Sequence, residues 1–177
     1  NFLDLHNAWQ KTLDVEIVTN KFFRDYKVVF EQVEREVKES IPDAETARLF
    51  TQRLFNRLMF IYFIQKKGWL RFEGETNYLR RIFTRAEING ENFYKDRLYW
   101  VFFYGLSNPF NSKEIHDEES LKKKRGDVEY LNGGLFELEK DGFDEKTKMS
   151  FSYDEPGKVS ISNARFGEIL DLFEKYN

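Results

Sequence analysis

From Leu54 to Leu70 the chain is almost unbroken hydrocarbon: Leu54, Phe55, Leu58, Met59, Phe60, Ile61, Tyr62, Phe63 and Ile64 precede Gln65-Lys66-Lys67-Gly68-Trp69. The apolar part is too short to span a bilayer, which takes roughly 20 consecutive apolar residues. It is also too apolar for an ordinary surface helix, and a helix apolar on nearly every side is expected to be buried on nearly every side. The segment therefore reads as the central helix of an all-helical core. Gly68, behind a basic pair, is its stop signal.

Helical periodicity extends in both directions from that rod. Phe22, Tyr26, Val29, Phe30, Val33 and Val37 recur at helical spacing, and Thr19 is placed to cap the start of that helix. Ile41-Pro42-Asp43 ends it, and Asp43 is a good N-cap for the next helix, which should run to about Lys67. Tyr78, Leu79, Ile82 and Phe83 predict a short helix over 76–85, and Asn89-Gly90 marks a turn. An aromatic helix over 93–106 should bury Phe93, Leu98, Val101, Phe102 and Leu106. The polar stretch 107–125 is expected to be a mobile loop.

Beyond it the character changes, and 126–162 reads as a mixed turn and hairpin region. Phe151, Tyr153, Val159 and Ile161 alternate around Asp154-Glu155-Pro156-Gly157, which predicts a small hairpin over 150–162. Ser162 or Asn163 then caps a last helix carrying Phe166, Ile169, Leu170 and Phe173. The expected fold class is mainly α: one bundle-like helical domain across residues 1–177, with a small β-hairpin in its C-terminal third.

Composition narrows the function. Aromatic residues make up 18% of the chain, nineteen of them Phe, so a large core or a partner must cover the rings. Zero Cys removes disulfides and thiolate metal sites and fits a cytoplasmic location. No secretory signal opens the chain, and without an initiator Met it reads as a fragment of a longer protein. The net charge of −3 gives no global field toward nucleic acid. Any such contact must be local, and the candidates are Lys122, Lys123, Lys124 and Arg125, joined by Lys66, Lys67 and Arg71 at the end of the core helix.

Catalytic constellations fail one by one. His6 and His116, the only histidines, fall in no metal-ligand spacing and read as surface residues. There is no nucleophile elbow. Pro42-Asp43 and Asp144-Glu145-Lys146 imitate pieces of a metal-dependent nuclease, but Asp43 reads as a helix cap and Asp144 as part of a polar loop. Asn132-Gly133-Gly134 lacks the glycine spacing of a phosphate loop and reads as a tight turn. Asn108-Pro109-Phe110 lacks one proline of the methyltransferase motif and any cofactor loop before it. No catalytic, cofactor-binding or metal residue is assigned.

Four strings, in order, carry a resemblance: RLFNRLMFIYFIQKKGWL at 53–70, WVFFYGLS at 100–107, GDVEYLNGGLFE at 126–137 and FGEILDLFEKYN at 166–177. Together they resemble the helical region that precedes the methyltransferase domain in type IIG-like restriction–modification enzymes and related phage-defence DNA adenine methyltransferases. The resemblance implies a noncatalytic spacer that orients a flanking S-adenosylmethionine-dependent methyltransferase domain and, in some members, a nuclease domain, close to DNA. It implies no cofactor within this segment and no membrane partner. The competing expectation is a stand-alone protein-interaction module docking through Phe103, Tyr104 and Phe110.

Overall fold

The computed structural model describes residues 2–107, 118–131 and 134–176, with side chains from residue 16 onward except at 118. Among the described residues, six helices and one two-stranded antiparallel sheet make a mainly α fold. The helices are α1 (Phe2–Ser40), α2 (Ala44–Lys66), α3 (Tyr78–Ile88), α4 (94–106), α5 (Glu118–Arg125) and α6 (Asn163–Lys175). Strands β1 (Gly142–Asp144) and β2 (Met149–Phe151) form the hairpin. Among the described residues, no helix is long and apolar enough to cross a membrane.

α2 is the axis of the core. Its Asp43 carboxylate accepts the Thr46 N–H at 2.7 Å, which satisfies one of the donors a helix start leaves open. Leu54, Phe55, Leu58, Ile61 and Ile64 are buried against the rest of the chain. Tyr26 and Phe30 of α1 each place a ring 5.2 Å from Phe55. Tyr62 meets Phe173 of α6 at 5.4 Å. The expectation of burial on all sides is corrected, however: Phe60 and Phe63 face solvent, with Phe63 58% exposed. Neighbours cover the other faces of the rod only, and apolar residues remain outside where nothing is left to cover them.

Three further boundaries differ from the sequence reading. α1 does not start at Thr19 but runs unbroken from Phe2, because no proline or glycine interrupts it. Glu16 to Asn20 are all exposed, so this part of α1 lies beyond the cover of the core. The hairpin occupies 142–151 instead of 150–162. Asp144 sets its turn, its carboxylate accepting the N–H groups of Lys146 (2.8 Å) and Thr147 (3.2 Å), which hold its pKa below the usual range. Part of the expected loop is helical, as α5. Ser162 stands at the N-cap of α6, yet its hydroxyl donates to Glu36 of α1 at 3.0 Å instead of capping its own helix.

α4 carries the aromatic segment in an irregular winding. π-helical turns at Tyr94–Leu98 and Phe102–Leu106 flank one α-helical turn at Tyr99–Val101. The five residues expected to face inward, Phe93, Leu98, Val101, Phe102 and Leu106, are all fully buried.

One charged group lies in the middle of all this. Arg57, on α2, is 1% exposed and pairs with the equally buried Asp154 at 2.8 Å. Its other N–H groups donate to the Leu135 carbonyl (2.8 Å) and the Glu137 carbonyl (3.1 Å), and its guanidinium lies 5.0 Å from the Phe103 ring centre. Tyr94 donates its hydroxyl to the same Asp154 oxygen at 2.6 Å; burial first, and the adjacent carboxylate second, push its pKa well up. One turn earlier on α2, Arg53 pairs with Glu139 at 2.8 Å and with Asp141. The stretch 134–155, hairpin included, is thus fastened to the core helix by two arginines. Replacing one partner strands the other charge, which typically costs about 3–5 kcal/mol. Asp154→Ala should therefore lower unfolding free energy by about that amount in urea denaturation. Arg57→Met combined with Asp154→Ala should lose less than the two single losses summed.

Candidate nucleic-acid interface

The cationic residues singled out from sequence meet at the junction between the end of α2, the segment after it, and α5. α2 closes with a Schellman cap. The Gly68 N–H donates to the Gln65 carbonyl at 2.9 Å, and the Trp69 N–H to the Ile64 carbonyl at 3.3 Å, with Gly68 at φ +74°. Leu70 then turns into the core at 1% exposure. The next residue, Arg71, is held by a two-way backbone bridge with Asp127, its N–H donating at 3.2 Å and its carbonyl accepting at 2.9 Å.

Gly126 makes that bridge possible. It has φ +72°, and a Cβ there would lie 2.5 Å from the Arg71 carbonyl oxygen and 2.8 Å from the Phe72 ring. Only glycine allows this conformation and this approach together. α5 is short and highly charged, with little intrinsic reason to persist, so other elements finish it. Arg97 donates to the carbonyls of Lys123 (2.9 Å) and Lys124 (3.1 Å), and Tyr78 donates to the Arg125 carbonyl at 2.5 Å. These donors satisfy the carbonyls that a helix C-terminus leaves open. The hydroxyl of Tyr78 is wholly buried, and burial lifts its pKa far above the ordinary value, so it serves as a donor throughout the physiological range.

Around this junction lie two adjoining cavities. A groove of about 340 Å³ is lined by Gly68, Trp69, Arg71, Lys122, Asp127, Val128 and Glu129, together with Arg125 and Gly126. A larger one, about 610 Å³, has Arg85, Arg97, Lys123 and Lys124 among its cations and Glu73, Glu91 and Glu119 among its acids. Lys122, Gly126 and Asp127 line both.

The expected cations are not equivalent. Lys122 is 63% exposed and pairs with Asp127 at 2.7 Å, while Lys123 pairs with Glu119 at 3.0 Å. Lys124 is half-buried, with its ammonium 4.3 Å from the Trp100 ring centre. Lys66 and Lys67 are exposed and lie over Tyr62 (5.2 Å) and Phe63 (5.5 Å), lining neither cavity. Arg71 is exposed in the smaller groove. Arg125 is corrected: at 3% exposure, and donating to the Val128 carbonyl at 3.3 Å, it is a structural guanidinium and offers no surface charge to a phosphate. Exposed ion pairs such as Lys122–Asp127 are worth little in water, so a phosphate can displace them at small cost.

Other sequence candidates resolve differently. Asp43 and Asp144 both spend their carboxylates on local backbone N–H groups. Phe103, expected on an exposed interaction patch, is buried under the Arg57 guanidinium, and Tyr104 is half-buried against Trp100 at 4.9 Å. That patch does not form at Phe103. Phe110, Asn108, Asn132, Gly133, His116 and the side chain of His6 lie outside the described residues. Among the described residues, no group of three or more His, Cys, Asp or Glu is placed to hold a metal ion. The sequence reading missed Trp69 and Arg97: the first sits at the end of an apolar run, where core is the default, and the second carries no local signal at all.

Comparisons with protein-family models, curated proteins and solved structures each gave no match. The geometry of the junction yields its own test. Gly126→Ala combines a left-handed φ with a backbone clash and should cost roughly 2 kcal/mol or more, seen as a lowered thermal midpoint by circular dichroism.

Proposed function

We propose that this chain is the noncatalytic helical spacer of a cytoplasmic DNA adenine methyltransferase of the restriction–modification type. It holds a methyltransferase domain, and in a parent with one a nuclease domain, in fixed relation to DNA. The observation that carries the reading is where the four family-like strings fall. 53–70 covers the second half of the core helix and its cap, and 100–107 holds the second π turn of α4. 126–137 contributes the Gly126 junction and Phe136, whose ring meets Phe60 of α2 at 5.7 Å and Phe102 of α4 at 5.8 Å. 166–177 is most of α6, and its Phe173 meets Tyr62. Strings scattered along the sequence pack on one another, which is how a rigid positioning element is built.

The ledge of Arg71, Lys122, Lys123 and Lys124 supplies the phosphate contacts in this reading. Such contacts fix register and orientation without reading sequence. Methyl transfer and its cofactor belong to the flanking domain.

Two measurements test the proposal. Titration calorimetry of the chain with S-adenosylmethionine should give no binding heat; a saturable binding isotherm overturns the spacer reading. Duplex DNA should bind weakly and lose affinity with salt. Lys122→Ala, Lys123→Ala and Lys124→Ala together should flatten the log–log salt slope by about 0.9 for each lysine that meets a phosphate. An unchanged slope would remove the ledge from the interface.

A further inference from the structure

We propose that Trp69 is a stacking platform for an unpaired nucleobase, with Arg71 and Lys122 of the same groove holding the flanking phosphates of a single-stranded nucleic acid. This rests on the reading of the junction as a DNA-contacting ledge and names the form of nucleic acid that it takes.

The position of Trp69 is the first argument. In a Schellman cap the residue after the glycine normally folds back onto the last turn of its helix. Here that residue is Trp69, its backbone bonded as the motif requires, yet its side chain is 57% exposed. The largest apolar side chain is thus left in water at a place where local geometry offered it cover. The backbone on either side is fixed: Gly68 by the cap, Leu70 by burial, Arg71 by its bridge to Asp127. An exposed ring on a rigid mount loses little entropy when something stacks on it.

The surroundings say what stacks. The groove beside Trp69 holds about 340 Å³, within the range of small-ligand sites. Arg71 and Lys122 line it, and Lys67 precedes the cap glycine. Asp127 and Glu129 line it as well, and Asp127 already neutralises Lys122. An aromatic ring among cations is the arrangement that binds single strands, since every base has a face to stack and every nucleotide a phosphate. A paired duplex keeps its bases stacked inside, so Trp69 adds nothing to duplex binding. An apolar protein partner fits worse, because it would have to desolvate the groove's charged side chains.

Fluorescence anisotropy with a short labelled oligothymidylate, a duplex of equal length and a fully abasic strand separates the possibilities. Trp69→Ala should weaken single-strand binding roughly tenfold or more, as loss of one base stack does elsewhere. Trp69→Phe should retain most of the affinity. Duplex and abasic strand should bind wild type and Trp69→Ala alike. Because Trp69 is largely exposed, both variants should keep the wild-type circular dichroism spectrum.

If Trp69→Ala binds the single strand as wild type does, the stacking proposal is overturned, and the ledge survives if the triple-lysine variant still loses duplex affinity. If wild type binds neither single strand nor duplex at low salt, the proposal and the ledge fall together. Concentration-dependent dimers of wild type, absent in Trp69→Ala by sedimentation, would assign the ring to a protein contact and overturn the proposal.

Discussion

Arg57 is the constraint around which the molecule is arranged. A guanidinium at the centre of a helical core is tolerable only when its charge is paired and its nitrogens find acceptors, because an unpaired buried charge is among the costliest defects a fold can carry. The answer comes from the C-terminal third: a carboxylate from Asp154 and carbonyls from Leu135 and Glu137. A stretch whose regular structure is limited to one short hairpin and one helical turn is thereby given one position. Hydrophobic burial supplies much of the stability here, as in most domains, but it is non-directional. The charged cluster adds a direction, since its hydrogen bonds tie Arg57 to named atoms of Leu135, Glu137 and Asp154.

A similar logic recurs at the surface junction. α5 is held by donors that reach it from α3 and α4, the hydroxyl of Tyr78 and the guanidinium of Arg97. The lysines on α5 therefore stand on a frame set by the core. Gly126 lets the following backbone close onto Arg71, so the end of α2 and the end of α5 form one continuous ledge. In the proposed spacer role, rigidity would matter more than affinity, because flanking domains would inherit whatever play the frame has. Phosphate contacts on such a frame would orient DNA as well as hold it.

Local features were the readable ones. Asp43 as a cap, Gly68 as a stop, and the inward faces of α3, α4 and α6 all follow from a few neighbouring residues, and the structure agrees with each. What escaped depends on partners far along the chain. Arg57 sits in an apolar run and looks like a surface break in it, because its counter-ion lies 97 residues away. The winding of α4 into π turns leaves no mark in its apolar spacing, and neither does the close approach of Gly105 to Val128, later in the chain. The hairpin was misplaced because Asp154-Glu155-Pro156-Gly157 is a genuine turn, but its Asp154 is drawn inward to Arg57 and no strand pair forms around it. Six of the seven expected cations are at least partly accessible, four of them on the ledge, whereas Arg125 is consumed by the fold. Trp69 was invisible as a surface residue because composition cannot say which side of a cap a ring takes.

The distance between Arg57 and its counter-ion also sets an order of events during synthesis. On the ribosome, α1 and α2 emerge long before the turn that bears Asp154, and the contacts of Tyr26 and Phe30 with Phe55 need nothing from it. Arg57 lies against Phe102 and Phe103 of α4 and is met by Leu135, Glu137 and Asp154, so the burial of this cation is completed only when those late residues arrive.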